Sequence, residues 1–222
     1  MAYSFNFPLV FSYWPLFLKG LLMTIILSVI SFFVGFCIAL VLVSLRKSES
    51  KFARRFVAVY SVTCKAIPAL VMIIWAYYAL PLLIGVSFSP LIASLIALSI
   101  NISPFIMESI ISGINAIHKD QYESARVLGF TKLQAYRHIV LPQVLKNMTP
   151  DLLAWFITLI KHTSLVSIIG FNELLHVSNT IISNVFLPFE VYTTLAIMYI
   201  LLIVCIEILL RKVVKIKYKT LL

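Results

Sequence analysis

From Gly20 to Leu45 the chain runs for twenty-six residues without an Asp, Glu, Lys, Arg or His. A membrane-spanning helix needs about 20 apolar residues, and this stretch exceeds that, so it is expected to cross with a tilt. Four further runs approach the same length: Phe56 to Leu80, Leu91 to Ile111, Asp151 to Ile169 and Phe189 to Leu210. The reading is an all-α integral membrane protein of five transmembrane helices, a single domain over residues 1–222. Composition agrees. The chain is 62% hydrophobic with a mean hydropathy of +1.05, against an apolar share of roughly half in soluble domains. No internal repeat or low-complexity tract interrupts the pattern. The first charge is Lys19, so no basic segment of a cleaved signal peptide precedes the first run, which is expected to be retained.

A net charge of +10 in a soluble protein would point to nucleic acid. Here the basic residues fall between the apolar runs, as topology determinants do. Arg46, Lys47, Lys51, Arg54 and Arg55 fill the first connection. Lys119, Arg126, Lys132, Arg137 and Lys146 fill the third, and Arg211, Lys212, Lys215, Lys217 and Lys219 crowd the tail. The second connection, Pro81 to Pro90, has no charge, and the fourth carries Glu173 and Glu190. The positive-inside bias predicts an external N-terminus and an internal C-terminus. Cys37, Cys64 and Cys205 sit inside apolar runs and imply no disulfide framework.

The third connection holds the one long polar segment, Asp120 to Pro142. Asp120 and Glu123 have the spacing of a capping box, and Thr131 and Gln134 repeat it. Gly129 between them suits a left-handed helix end. The prediction is a cytoplasmic elbow of two short helices, the second ending at Pro142. The chain contains no GxxxxGK[ST], HExxH, CxxC or GxSxG motif, so the usual scaffolds for nucleotide, metal and serine-nucleophile chemistry are missing. No catalytic residue and no metal ligand is assigned. A doubly capped knob projecting from a bundle suits docking to a second protein.

The residues of this elbow carry a resemblance. Glu123-Ser124-Ala125, three residues, Gly129, nine residues, then Ile139-Val140-Leu141-Pro142 resembles the EAA-x3-G-x9-I-x-L-P signature of ABC importer permeases. Lys65-Ala66-Ile67-Pro68-Ala69-Leu70-Val71 and the run from Ile160 to Gly170, IKHTSLVSIIG, are similar to two patterns of the polar amino acid permeases, R-G-T-P-L-L-V and L-K-[DE]-T-S-L-x-S-V-I-G. The resemblance implies a multi-pass subunit of the bacterial inner membrane that is not itself an enzyme. It would dimerise with a second permease copy, identical or related, and take substrate from an extracytoplasmic binding protein. ATP and Mg2+ would sit on a separate cytoplasmic ATPase dimer, so this chain would hold no cofactor. Glu123, Ser124, Ala125, Gly129, Leu141 and Pro142 would form the contact with that ATPase. Within it, Ala125 permits close approach, Gly129 makes the turn, and Glu123 either caps, pairs with Arg126 or meets the partner.

An ionisable side chain at the centre of a span costs about 2.5 to 3.5 kcal/mol on insertion scales, so each needs a reason. Lys65, Glu108, Lys161 and His162 lie inside the predicted spans. For Lys65 and Glu108, a static ion pair or snorkelling to the cytoplasmic surface competes with a ligand role. Lys161 lies ten residues past Asp151, about 15 Å deep at 1.5 Å per residue, and favours a substrate or gating role. Ser94, Asn101 and Glu108 recur every seven residues on one helix face. Pro68 and Pro104 break the hydrogen-bond ladder at similar depth, where transporters place substrate. Lys161, Thr163 and Ser164 would meet a carboxylate; Asn101, Ser103 and Glu108 line the same predicted pathway, with Asn101 and Glu108 as acceptors for an ammonium.

His162 replaces the acid of the permease pattern and Lys65-Ala66 replaces its Arg-Gly, which weakens the case for arginine or lysine as ligand. The solute is therefore a polar amino acid or a relative such as an opine. Competing readings are an ABC permease for a metal or anion, a secondary transporter or channel, and a membrane scaffold. An ion-driven transporter calls for paired carboxylates or an inverted repeat, and a scaffold leaves Lys161 unexplained.

Overall fold

The computed structural model describes residues 5–118, 121, 127 and 129–219, with only the backbone of residues 211 and 213–219. Every regular element among them is helical. In chain order these are α1 (Phe7–Phe11), α2 (Trp14–Arg46), α3 (Lys51–Ala66), α4 (Ala69–Ile84), α5 (Pro90–Asn115), α6 (Lys132–Ile169), α7 (Leu174–Val185) and α8 (Pro188–Lys219). Four of them, α2, α5, α6 and α8 over Pro188–Leu210, are long and apolar enough to cross a membrane. The bent pair α3 and α4 makes up to five.

α5 is the axis of the fold. Its face from Ala93 through Ala97, Ile102 and Ile106 to Ile110 is buried against α2, α3, α4 and α6. Small residues let α2 approach it. A methyl added at Gly35 would lie 2.5 Å from Ile102 Cγ2 and 3.1 Å from the Ser99 carbonyl oxygen. With little hydrophobic drive between helices in lipid, close contact of this kind supplies the attraction. A second, smaller core joins α1, α7 and α8 to the start of α2 through Val10, Phe17, Leu174, Ile181 and Val191. The outward faces are apolar as well: Phe33, Val41 and Leu201 are exposed. A bilayer covers such a surface; water would not.

The second predicted span, Phe56 to Leu80, is corrected by the structure. α3 stops at Ala66, Ile67 is extended, and α4 departs at 103°. The residue before a proline is disfavoured in the helical region, and Pro68 lacks the donor that would continue the ladder. Pro104 behaves differently. α5 continues through it, and the carbonyl of Ile100, four residues back, receives hydroxyls instead. Ser103 Oγ donates to it at 3.0 Å and Tyr60 Oη of α3 at 3.4 Å, with the two hydroxyls 2.8 Å apart.

The fourth span is corrected too. The helix predicted to end at Pro142 does not end there, and the span does not begin at Asp151. One helix of 38 residues runs from Lys132 to Ile169. A widened π turn at Tyr136–Val140, where Leu141 N–H reaches back to the Tyr136 carbonyl, precedes Pro142. The wider turn carries the preceding carbonyls away from the proline ring, which would otherwise collide with the one four residues back. α4 repeats the device: a π turn at Trp75–Ala79 precedes Pro81, which lies within the helix rather than at a span end.

Candidate functional site

The start of α6 is held as the spacing predicts. Thr131 and Gln134 form a reciprocal capping box: Gln134 N–H donates to Thr131 Oγ1 at 3.3 Å, and Thr131 N–H donates to Gln134 Oε1 at 2.9 Å. Gly129 adopts φ +79° with open space where a Cβ would stand, so the position selects against a side chain by backbone conformation alone. Asp120, Glu123, Ser124, Ala125 and Arg126, and with them the first elbow helix, lie outside the described residues. Leu141 and Pro142 sit inside α6, directly after its π turn.

Of the predicted pathway residues, Lys65 and Glu108 are brought together. Lys65 Nζ donates to Glu108 Oε1 at 2.5 Å, tying the last turn of α3 to α5 just before the break at Pro68. Both side chains remain partly open. Glu108 also lines two clefts. One, of about 380 Å3, lies between α5 and α6 and includes Ser112, Asp151 and Trp155. The other, of about 560 Å3, reaches Arg46 and Asn115. Asn101 and Ser103 are buried on α5 above this pair, and Ser103 is engaged with Tyr60. Neither cleft is lined by Asn101, Lys161 or His162.

The Lys161–Ser164 stretch lies where α6 tightens into a 3-10 turn over Thr163–Ile169. Lys161 is exposed, and His162 is half-buried with Nδ1 enclosed and without a partner. Thr163 Oγ1 donates to the Ile160 carbonyl at 2.7 Å, and Ser164 Oγ donates to that of Lys161 at 2.8 Å. The two hydroxyls expected to meet a carboxylate are thus turned to the backbone, and binding a ligand requires them to rotate.

Residues that sequence reasoning passed over also matter here. Asp151 and Trp155 are one turn apart and face the Glu108 cleft, a signal readable from their i, i+4 spacing once α6 is known to be continuous. Glu173 and Glu190, predicted only as loop charges, are fully buried. Nothing local in the sequence marks that burial.

Residues 32–215 match the family described as the binding-protein-dependent transport system inner membrane component. The chain belongs to that family. It is accordingly a multi-pass permease of the inner membrane. A Rickettsia conorii protein named as a glutamine transport permease, GlnP, is 33% identical over 157 residues, covering 71% of this permease and 72% of the relative. A Bacillus subtilis protein named as a glutamine ABC transporter permease, GlnM, is 30% identical over 203 residues, 91% of this chain and 94% of its own. A solved amino acid ABC transporter structure superposes with a TM-score of 0.87 at 30% identity, covering 96% of the permease and 99% of that chain. The methionine transporter MetNI shares the fold, with a TM-score of 0.75 at 21% identity.

Proposed function

We propose that this permease forms half of the transmembrane pathway of an ATP-driven importer for polar amino acids. The N-terminus lies outside and the C-terminus inside. Residues 120–142 seat on a cytoplasmic ATPase dimer that holds ATP and Mg2+, while the permease binds no cofactor and hydrolyses nothing. A second permease, identical or related, completes the pathway. An extracytoplasmic binding protein delivers substrate near residues 81–90 and 171–188.

The observation that carries this reading is the unbroken helix α6. Between the capping box at Thr131 and the Lys161–Ser164 turn lie the residues 132–161, a rod of about 45 Å at 1.5 Å per residue. A push delivered at the elbow is transmitted along one rod to the polar turn. The distribution of basic residues supports the orientation, and the names of the relatives and of the superposed transporter support the substrate class. ATP closing the ATPase dimer favours one arrangement of the rods and hydrolysis favours the other, the two-state bias that uphill transport requires.

In the pathway, Lys161 supplies the cation for a substrate carboxylate, with Thr163 and Ser164 turning from the backbone to assist. Asn101 and Glu108 serve the ammonium. Lys65, paired with Glu108, holds that side chain in place, and His162 borders the site. Replacing Lys161 with Met tests this assignment in proteoliposomes containing the ATPase and binding protein. Uptake of radiolabelled glutamine is expected to fall at least tenfold with the complex intact, and unchanged uptake removes Lys161 from the pathway.

A further inference from the structure

α3 turns one face to the protein and the opposite face away from it. Val57, Ser61 and Cys64 are buried, and beside them the Tyr60 hydroxyl reaches Ser103 and the Ile100 carbonyl of α5. On the far side Phe52, Phe56, Val59 and Val62 are exposed, Phe52 to 82%. At about 100° per residue these four form one apolar stripe along the helix. In a chain that crosses a membrane, such a stripe lies against acyl chains.

The same end of α3 is strongly basic. Lys47, Lys51, Arg54 and Arg55 are all exposed, and Glu49, also exposed, is the one acid among them. None of the four cations pairs with a carboxylate among the described residues. In helical projection Arg55 falls within the apolar stripe, between Val59 and Val62 and opposite the buried face, and Lys51 falls at the edge of that stripe. Arg46 differs, since it borders the Glu108 cleft. The arrangement is unfavourable by itself. Lys51 stands three and four residues from Arg54 and Arg55, spacings at which like charges repel. Lys51 and Arg54 also lie in the first turn, where the helix dipole disfavours cations, and no acidic residue in that turn offsets them. An anion from outside the chain relieves both effects.

We propose that this side of α3 binds an anionic phospholipid of the leaflet that the first connection meets. The lipid phosphate lies among Lys51, Arg54 and Arg55, with Lys47 adding to the local field, and the acyl chains run along Phe52, Phe56, Val59 and Val62. Arginine presents a planar fork that matches two phosphate oxygens, and its apolar stem can lie along the stripe while the head reaches the phosphate level. A soluble acidic partner would satisfy the cations and leave the phenylalanines uncovered; one phospholipid satisfies both. Each basic residue near an anionic membrane surface strengthens binding by about fivefold, so four of them are enough to enrich such a lipid locally. The inference goes beyond the importer reading: it rests on a membrane-crossing chain and on the faces of α3, and on no ATPase or transported solute.

The test uses the full-length permease in nanodiscs, with Cys37, Cys64 and Cys205 replaced by alanine and a bimane label attached through Val59→Cys, one turn from Arg55 on the stripe. Quenching of the label is measured with brominated phosphatidylglycerol and, at the same mole fraction, with brominated phosphatidylcholine. Both lipids should quench, and phosphatidylglycerol should show an apparent enrichment of about threefold or more. The enrichment should vanish in the triple variant Lys51→Gln, Arg54→Gln, Arg55→Gln, while quenching by phosphatidylcholine stays as before. Without any change to the cations, it should also weaken as salt is raised from about 0.1 M to 1 M, where the Debye length falls from about 10 Å to about 3 Å.

Equal quenching by the two lipids overturns the proposal, as does an enrichment that survives both the triple substitution and high salt. Quenching by neither lipid overturns it as well, because the stripe is then covered by protein, such as a second copy of this chain. If the parent shows no lipid preference and the triple variant loses a co-purified ATPase, the cations belong to that partner instead. No arm of the lipid measurement contains ATP or substrate, so failure here and failure of the importer reading are told apart.

Discussion

At the scale of single residues, the two positions that carry most of the account are Gly129 and Ile100. Gly129 is held at φ +79°, where a β-branched side chain costs about 1–2 kcal/mol. Gly129→Val is expected to cut uptake about tenfold with normal amounts of permease in the membrane, whereas Gly129→Asn retains most of it, because asparagine visits this conformation. Equal uptake by both variants contradicts the role of the turn. The Ile100 carbonyl, freed by Pro104, has two alternative donors in Tyr60 and Ser103. Tyr60→Phe and Ser103→Ala should each be mild, since the other hydroxyl remains. The double variant leaves the carbonyl orphaned and should cost about 1–3 kcal/mol, more than the sum of the singles, in detergent unfolding. Of these residues, Gly129 was legible because its left-handed role follows from spacing between two helix starts. Tyr60 was not: its value comes from a partner 40 residues away on another helix.

At the scale of elements, hydropathy located the spans because the bilayer imposes a length that any spanning helix meets. What it left open was the effect of each proline. Pro68 breaks its helix by 103°, Pro104 passes through with hydroxyls in place of the lost donor, and Pro81 and Pro142 are accommodated by π turns. The same residue type gives three outcomes because the missing hydrogen bond is settled by neighbours in space rather than by sequence. Glu173 and Glu190 escaped for the same reason; an acid in a connection reads as solvated until a helix closes over it. The π turn before Pro142 yields a prediction. Pro142→Ala restores the donor and clears the ring, so the turn can relax to an α turn. Residues 132–140 then rotate by about 100° against the span, one residue's worth of helix. Substrate-stimulated ATP hydrolysis should weaken while basal hydrolysis persists. Stimulation at the original level contradicts a role for the π turn in setting register.

At the scale of the whole molecule, the permease has an apolar exterior, a buried central helix and one long rod, which in the proposed coupling receives work at one end and delivers it near the other. The chain contains no phosphate loop, so in this account the work comes from a partner. The account's central claim is that coupling, and it is tested most directly by uptake into proteoliposomes reconstituted with the permease, its ATPase and its binding protein. With ATP inside the compartment that the ATPase faces, radiolabelled glutamine or another polar amino acid should accumulate above its external concentration, and Gly129→Val should slow that uptake about tenfold. Accumulation without ATP, or accumulation that survives Gly129→Val undiminished, contradicts it.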